Sequence, residues 1–472
     1  MAKVDQLQEL KEAPIKKLLW KYSLPAIIGS SVAALYNIIT RYFVGNASYL
    51  DDHALSAMGI ALPVMTLIAA FGMLVGAGAG SRISIFLGNQ DYDKAESVVG
   101  TSLLLTLIIT LTVSYGLFLF LEPLVYKLGA DEETYQYTYD FLRIFLPGAI
   151  FSNLCFSFNN MMRASGYPRK AMYTMLLTLV VNTILAPFFI NFLKWGIQGA
   201  AISIVSSMVI GTIFVMGHFV GKNTLLRFRL SKIRLNWQIT KAVLSIGMSP
   251  FLMNIVSAVI IFIIIHQVKI FGGSIGVAAY TIANVTLMLV VLVLLGLTQG
   301  MQPIVGYSYG AGAYHRLREA LLYTIKVGVM IGIIASSIGI FFPAILVRPF
   351  NPSETLAVET MGAIRIVTML FPLVGFQMVV TIFFQSIGKV GHSIFLSLSR
   401  QIIFLIPALF ILPRLFTEWG YKPIFGVWFS IPTADFISAF TAALFLWLQL
   451  REFKKLRLAH EAELMAKTQK EA

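Results

Sequence analysis

Phe86-Leu-Gly88-Asn-Gln-Asp-Tyr92-Asp-Lys94 and Ser308-Tyr-Gly310-Ala-Gly-Ala-Tyr314-His-Arg316 are two copies of one pattern of glycine, tyrosine and a basic residue. The copies lie 222 residues apart. The same spacing joins further pairs outward along the chain, namely Gly78 with Gly300, Glu132 with Glu354, Arg143 with Arg365, and Gly166 with Gly388. A constant period of this length marks a duplicated unit. The sequence therefore predicts a protein of two like halves.

Long apolar segments make up most of the repeated unit. Hydrophobic residues account for 57% of the 472 residues and charged residues for 12%, and the mean hydropathy is +0.80. Uncharged runs such as residues 98–121 and 275–308 are long enough to cross a hydrocarbon core of about 30 Å as helices. This composition excludes a soluble globular domain and predicts an all-α integral membrane protein.

Charged or turn-rich gaps divide the chain into twelve predicted spans. These begin near residues 18, 54, 96, 135, 170, 196, 241, 275, 319, 355, 390 and 424. An even number of spans places both termini on one side, and 25 of the 36 Lys and Arg residues fall on that side. Since such residues favour the cytoplasmic side of a membrane, we predict a multi-pass protein of the bacterial cytoplasmic (inner) membrane with both termini in the cytoplasm.

The longest polar gap, residues 221–240, carries Arg227, Arg229, Lys232 and Arg234 and is predicted to link the halves. We expect a cytoplasmic segment over residues 1–17, one six-helix bundle over 18–220, the linker, a second bundle over 241–452 and a cytoplasmic tail over 453–472. Because six helices return the chain to its starting side, the bundles should be pseudo-symmetric about an axis along the membrane normal, with a cleft between them.

Several classes of function are excluded by what the chain carries. The net charge of +14 is accounted for by a basic cytoplasmic face, and no nucleic-acid motif accompanies it. A single cysteine, Cys155, and six scattered histidines predict neither a disulfide nor a metal site. The sequence shows no catalytic nucleophile with a base, no metal-ligand cluster and no paired carboxylates. It therefore predicts neither an enzyme nor a bound cofactor. Gly72, Gly76 and Gly80 recur every fourth residue, as in a helix-packing face rather than a phosphate loop.

Two intramembrane charges are functional candidates, because ionisable groups are costly in hydrocarbon. Arg400 lies 11 residues after Lys389, and Asp435 lies 11 residues after Ile424 on the next, antiparallel span. Each should therefore sit about 16 Å deep, one from either face. The two are expected to meet. Either they form a structural ion pair, or Asp435 is a protonatable carboxylate whose ionisation depends on Arg400.

Uncharged amides give the spans a polar lining that we predict to face a substrate cleft, although some amides will only bridge helices. These candidates are Asn37, Asn254, Asn284, Gln299, Gln302, Gln377 and Gln385. The chain also holds 19 Met and 36 Phe residues. Such adaptable apolar surface suits binding of small amphipathic molecules, and it is equally ordinary in a lipid-facing bundle.

Motifs in both halves resemble those of the multidrug and toxic compound extrusion (MATE) transporters, over nearly the whole chain. In the first half these are Pro25, Leu35-Tyr-Asn-Ile-Ile-Thr-Arg-Tyr-Phe-Val-Gly45, Arg163-Ala-Ser-Gly166 and Asn182-Thr-Ile-Leu-Ala-Pro187. The second half is similar to a long family segment at Gly296-Leu-Thr-Gln-Gly-Met-Gln-Pro-Ile-Val-Gly-Tyr-Ser-Tyr-Gly-Ala311. Phe384-Gln-Ser-Ile-Gly-Lys389, Arg400-Gln401, Gly426-Val-Trp428 and Pro432-Thr-Ala-Asp435 resemble the bacterial DinF-like branch.

This resemblance implies twelve helices in two bundles, alternating access, and export of amphipathic, often cationic compounds driven by H⁺ or Na⁺ entry. The branch usually carries carboxylates in Asn-Ile-Val-Asp and Asn-x-x-Leu-Asp-Pro motifs, but Thr40 and Ala186 occupy those positions here. Thr40 and Asn182 offer neutral oxygens, which can contribute to Na⁺ coordination but cannot titrate near neutral pH. Three routes stay open: proton coupling through Asp435, Na⁺ binding around Thr40 and Asn182, or a different coupling.

The function predicted from these features is a secondary active antiporter that exports small amphipathic compounds, including neutral, zwitterionic or anionic ones. We expect membrane lipids as neighbours and a monomer. A lipid-linked glycan flippase of the same superfamily is an alternative that would need several basic residues in its cleft. A non-transporting membrane scaffold is the other alternative, since both expected carboxylates are missing.

Overall fold

The computed structural model describes residues 8–221 and 224–471, except for the side chains of residues 33, 34, 37, 52, 230 and 456–471. All regular secondary structure in this part of the chain is helical, and it contains no strand. The long helices are α1 Ile15–Gly45, α2 Asp52–Gly88, α3 Tyr92–Leu119, α4 Glu132–Ala164, α5 Pro168–Pro187, α6 Gly196–Val220, α7 and α8 within Trp237–Gly310, α9 Tyr314–Phe341, α10 Glu354–Thr368 with Phe371–Ser386, α11 Val390–Glu418 and α12 Pro423–Glu471.

Two of these helices are interrupted. Trp237–Gly310 runs for 74 residues but breaks at Gly273, where φ is 59° and ψ is −155°. Because only glycine adopts this backbone conformation readily, α7 ends at residue 272 and α8 begins at residue 274. The two parts of α10 meet at 49°, and Pro372 in the first turn of the second part cannot donate a backbone hydrogen bond. The single unbroken span expected from residue 355 is therefore a bent pair.

The predicted number of spans agrees with these helices. In the described part of the chain, nine helices are each long and apolar enough to cross a membrane, and the bent pair makes ten. Trp237–Gly310 counts once among the nine although Gly273 divides it into two spans. Helix α1 adds 31 residues, about 46 Å at the usual helical rise. The prediction of an all-α membrane protein with twelve spans is confirmed.

Small residues bring α2 and α4 close together, as the glycine period predicts. A Cβ atom at Gly76 would lie 2.8 Å from the Ser157 Cα, and one at Gly80 would lie 3.6 Å from the Asn160 backbone oxygen. The Ser157 hydroxyl donates to the Gly72 carbonyl over 2.9 Å. Gly72, Gly76 and Gly80 thus serve helix packing, which is confirmed. This contact also fixes the neighbouring polar residues of α4.

The chain forms two compact units. The first comprises the described residues up to Ala258 together with Leu295–Tyr307, and the second comprises Val259–Leu294 and the described residues from Ser308 onward. Within the first unit, residues 237–258 and 295–307 pack against α1 and α2. A Cβ at Gly78 would overlap the Val243 carbonyl, and one at Gly300 would overlap the Ser23 backbone. Gly78 and Gly300 occupy equivalent positions in the two copies of the repeat. The same glycine position therefore allows a close helix contact in each copy. The bundle boundaries at the linker stay a prediction.

The linker is held by the first turns of α3. Arg229 Nε lies 2.7 Å from Glu96 Oε2, and Lys232 Nζ lies 3.2 Å from Asp93 Oδ1. Asp91 caps α3 by accepting from the Lys94 backbone N–H over 3.0 Å. Hydrogen bonds from the Lys94 side chain and backbone hold the pKa of Asp91 below its usual value. The basic linker is therefore anchored to the first half by acidic residues of α3.

Candidate substrate pocket and coupling groups

A pocket of about 260 Å³ lies within the first unit, among α1, α2, α4, α5 and α6. Its apolar wall is formed mainly by Leu62, Met65, Phe145, Phe156, Met175 and Met208. Its polar atoms come from Tyr36, Thr66, Ser152, Asn153 and Thr178, together with the thiol of Cys155. None of the sixteen lining residues carries a formal charge at neutral pH. The pocket can therefore receive an apolar body and a few hydrogen bonds, but it offers no countercharge.

Buried hydrogen bonds fix the polar side of this pocket. The Tyr36 hydroxyl lies 2.8 Å from the Ser207 hydroxyl and donates to the Ile204 carbonyl over 3.1 Å. Asn153 Nδ2 donates to the Thr110 hydroxyl over 2.9 Å. Because these bonds join α1 to α6 and α4 to α3, the polar groups are held in place before any ligand arrives.

One turn beyond Tyr36, α1 meets α5 through two fully buried polar residues. Asn182 Nδ2 donates to the Thr40 hydroxyl over 2.9 Å, and Thr40 donates to the Tyr36 carbonyl over 3.3 Å. Asn182 Oδ1 is buried without a hydrogen-bond partner. Ala186, one turn further along α5, contributes only a buried methyl group to the surrounding apolar cluster. The pair can coordinate a cation weakly through neutral oxygens, and it cannot carry a proton.

The second unit brings Arg400 and Asp435 together, as their predicted depths require. Arg400 Nε lies 2.6 Å from Asp435 Oδ1. Asp435 is 1% exposed, and its Oδ2 is buried without a hydrogen-bond partner. Arg400 lies in a π-helical stretch, Ser399–Leu405, which precedes Pro407, a residue without a backbone N–H. The site is thus a buried carboxylate with one oxygen paired and one open.

The remaining predicted residues have varied surroundings. Gln299 accepts a hydrogen bond from Arg163, and Gln302 Nε2 donates to the Ser81 hydroxyl over 2.7 Å. Asn254 Nδ2 donates to the Pro250 carbonyl over 2.8 Å. The side chain of Asn37 lies outside what the structure describes.

In the second unit, Gln377 is buried and donates to the Leu396 carbonyl over 3.3 Å. Gln385 is buried with Oε1 unpartnered, and Asn284 is partly buried. Gln302, Asn254 and Gln377 thus bond within their own unit, as helix-bridging or helix-capping amides do. A role for any of these residues in a substrate cleft stays a prediction.

Sequence reasoning missed several residues of the apolar pocket, including Tyr36, Asn153 and Cys155. Their depth along each helix is readable from the sequence, but the direction in which each side chain faces depends on how five helices pack. The abundance of Met and Phe residues indicated adaptable apolar surface, but it did not indicate where that surface lies. Among the described residues, no three His, Cys, Asp or Glu side chains come together as a metal site.

Comparison with protein families decides the class of the molecule. The family model MatE matches residues 25–188 and again residues 246–411, so each half of the chain carries one copy. This chain belongs to the MatE family. The double match agrees with the 222-residue period, and it confirms the resemblance inferred from the motifs.

Individual relatives cover almost the whole MatE chain. The multidrug export protein MepA of Staphylococcus haemolyticus is 27% identical over 450 residues, which span 95% of this chain and 97% of that protein. A solved transporter of the MOP superfamily from Pyrococcus furiosus, whose binding pocket is described as having reverse polarity, is 27% identical with a TM-score of 0.87, covering 95% and 98%. MATE in its bent conformation has a TM-score of 0.88 at 27% identity, covering 96% and 98%.

These comparisons confirm the predicted fold class of a MATE-like, twelve-helix membrane protein in two pseudo-symmetric bundles. They also place the chain among multi-pass membrane transporters rather than enzymes. The DinF-like branch, the coupling ion, the monomeric state and the orientation of the termini stay predictions.

Proposed function

We propose that this MatE protein is an antiporter that exports small amphipathic compounds without requiring a positive charge on them, and that the entering ion is a proton carried by Asp435. The observation that carries the substrate proposal is the uncharged pocket in the first unit. Its volume of about 260 Å³ is close to the lower end of the roughly 300–1,000 Å³ common for small-molecule sites. The MepA relatives are multidrug export proteins, which supports export of small compounds by this protein.

Asp435 supports the proton proposal because a carboxylate is the only group among the candidates that can titrate. Burial disfavours its charged form, whereas Arg400 favours it. Substrate or conformational change that moved Arg400 away would therefore release the carboxylate to take up a proton. The unpartnered Oδ2 is the atom to which that proton would bind.

Transport by proteoliposomes tests the proposal. The full chain would be reconstituted with an imposed pH gradient or an imposed Na⁺ gradient, and efflux of cationic ethidium, neutral Nile red and anionic anilinonaphthalene sulfonate followed separately. We expect the pH gradient to drive efflux of the neutral dye, and Asp435→Asn to reduce it about tenfold or more, because the proton acceptor is removed. Glu319→Gln, which neutralises an exposed carboxylate of α9, should leave efflux unchanged.

A double variant separates proton coupling from structural ion pairing. Asp435→Asn alone leaves the Arg400 charge uncompensated and lowers stability, whereas Arg400→Gln with Asp435→Asn removes both charges. We expect the double variant to recover stability but not pH-driven efflux. Recovery of efflux as well would make the pair structural. Na⁺-driven efflux that Asp435→Asn does not change would transfer coupling to Thr40 and Asn182, and no driven efflux of any dye would contradict the antiporter proposal.

Cys155 gives a direct test of the pocket because it is the only cysteine in the chain and lines the cavity. We expect methyl methanethiosulfonate to modify Cys155 slowly in the full chain, and a transported neutral dye to slow the modification further by occupying the cavity. Mass spectrometry of the intact protein measures the rate. A transported dye that leaves the rate unchanged would place substrate elsewhere.

A further inference from the structure

Arg163, in the last turn of α4, turns its guanidinium into a second cavity of the first unit. The cavity has a volume of about 50 Å³. Since one water needs about 10–15 Å³ of such volume, there is room for roughly three or four water-sized groups, such as the oxygens of an oxyanion. The cavity can therefore hold one small polar headgroup but not a whole drug-sized molecule.

The guanidinium of Arg163 is held by three neutral amides. Nη1 donates to Gln299 Oε1, while Nη2 donates to Asn160 Oδ1 over 3.1 Å and to Asn159 Oδ1 over 3.3 Å. Both asparagines use Nδ2 on the backbone, Asn159 toward the Ala171 carbonyl and Asn160 toward the Phe156 carbonyl. These bonds fix the amide oxygens toward Arg163, so the cation is oriented without being neutralised.

In the described part of the chain, no carboxylate lies beside this cation. Among the residues that the structure describes, none places an acidic oxygen within 4.0 Å of the Arg163 nitrogens, and no Asp or Glu lines the cavity. Arg229 and Arg400 each have a carboxylate partner at 2.6–2.7 Å. Arg163 therefore differs from Arg229 and Arg400, because its guanidinium lines a cavity and is not paired with a described carboxylate.

A purely structural role would not need this arrangement. A basic residue in the last turn of a helix interacts favourably with the helix dipole, and basic residues are frequent at a cytoplasmic face. Both effects are satisfied by a side chain that extends into solvent. Arg169 and Lys170, in the first turn of α5, are basic residues close in sequence that are exposed in this way. The two effects do not account for an inward guanidinium beside Asn159, which is 3% exposed.

The Arg163 cavity adjoins the apolar pocket, because Phe156 and Met175 line both. Arg163 is seven residues from Phe156 on the same helix, about 10 Å along its axis. Ser30 adds a hydroxyl on the α1 side of the cavity. The two volumes together would suit a molecule with an acidic head and an apolar body separated by about that distance.

We propose that the Arg163 cavity binds the oxyanion head, a carboxylate or a phosphate, of an amphiphile whose apolar part lies in the neighbouring pocket. Three of the five guanidinium N–H groups donate to amides, which leaves Nε–H and one Nη1–H to donate charge-assisted hydrogen bonds to an oxyanion. That the bound amphiphile is also a transported substrate rests on the proposed export function. The substrate class is then anionic amphiphiles, and binding itself requires no gradient.

A matched pair of probes tests the inference. Dansyl-aminoundecanoic acid and its methyl ester share one apolar body and differ in charge. Binding of each to the full chain in neutral detergent would be followed by dansyl fluorescence, with empty micelles as the blank. We expect the acid to bind about tenfold more tightly than the ester, as a charged hydrogen-bonded pair would give. Equal affinities would overturn the proposal.

Four variants assign the effect to Arg163. Arg163→Gln should remove the preference for the acid while leaving ester binding unchanged, and Arg163→Lys should retain part of it. Asn160→Asp should also remove the preference, because it supplies an internal carboxylate beside Arg163. Arg169→Gln makes the same change at an exposed arginine and should have no effect. A preference that survives both Arg163→Gln and Asn160→Asp would overturn the assignment.

Competition identifies the source of the oxyanion. Phosphatidylcholine also carries a phosphate, but its choline cation balances the charge. Displacement of the acid by phosphatidylglycerol but not by phosphatidylcholine would therefore show that an anionic lipid headgroup fills the site, whereas displacement by neither would restrict it to soluble amphiphiles. Inorganic phosphate should compete only weakly, since it lacks the apolar body. An intact acid preference in a protein without driven flux would contradict the export function alone.

Discussion

At the scale of single residues, the first unit replaces expected charge with neutral hydrogen bonding. Thr40 and Ala186 stand where the resemblance leads one to look for carboxylates. Thr40 instead accepts a hydrogen bond of 2.9 Å from the Asn182 amide. The unpartnered Asn182 Oδ1 carries a desolvation cost of about 1–3 kcal/mol. Removing only Thr40 should enlarge that cost, because the Asn182 amide would then lose its acceptor as well.

A double-mutant comparison tests this reasoning. Thr40→Val should lower the melting temperature of the detergent-solubilised chain, by the equivalent of about 1–3 kcal/mol, since it leaves buried Asn182 Nδ2 unpaired. Thr40→Val with Asn182→Leu removes both polar side chains and should melt higher than Thr40→Val alone. Scanning fluorimetry measures both. A double variant that melts lower than the single one would show that Asn182 has another partner, such as a bound cation.

At the scale of helices, prolines and glycines set the positions that the polar groups occupy. Helices α5 and α11 are the fifth of each half, and each has a π-helical stretch near a proline. In the first half this stretch is Phe188–Phe192, which follows α5, and in the second half it is Ser399–Leu405 within α11. Glycines allow α2 and residues 295–307 of α8 to approach their neighbours with backbone contact. The depth of a side chain in the membrane follows from the helical rise. Local breaks in the helix then change the side of the helix on which that side chain lies.

Alanine substitution distinguishes packing glycines from incidental ones. Gly78→Ala should lower the melting temperature strongly and reduce transport, because its Cβ would overlap the Val243 carbonyl and force α2 and α7 apart. Gly116→Ala on α3 places its Cβ in open space, so it should be neutral or stabilising by up to about 1 kcal/mol through helix propensity. Equal melting temperatures for the two variants would contradict the close contact between α2 and α7.

At the scale of the whole molecule, duplication provided two similar sets of helices whose polar residues then diverged. The 222-residue period, the hydrophobic runs and the rise per residue were sufficient to predict twelve helices and to place Arg400 at the depth of Asp435. They could not predict the Arg163–Gln299 bond or the apolar pocket, because sequence gives depth along a helix but not rotation against its neighbours. The bend in α10 was also missed, because the hydropathy pattern treats residues 354–386 as one span and takes no account of Pro372.

Proton movement driven by substrate is the most direct test of the central claim that Asp435 couples export to proton entry. Proteoliposomes loaded with a transported neutral dye and luminal pyranine, with no initial pH gradient, would be diluted into dye-free buffer. Dye efflux should acidify the lumen in the wild type and in Glu319→Gln, and should not do so in Asp435→Asn or in Arg400→Gln with Asp435→Asn. Acidification of wild-type extent in Asp435→Asn would contradict the account.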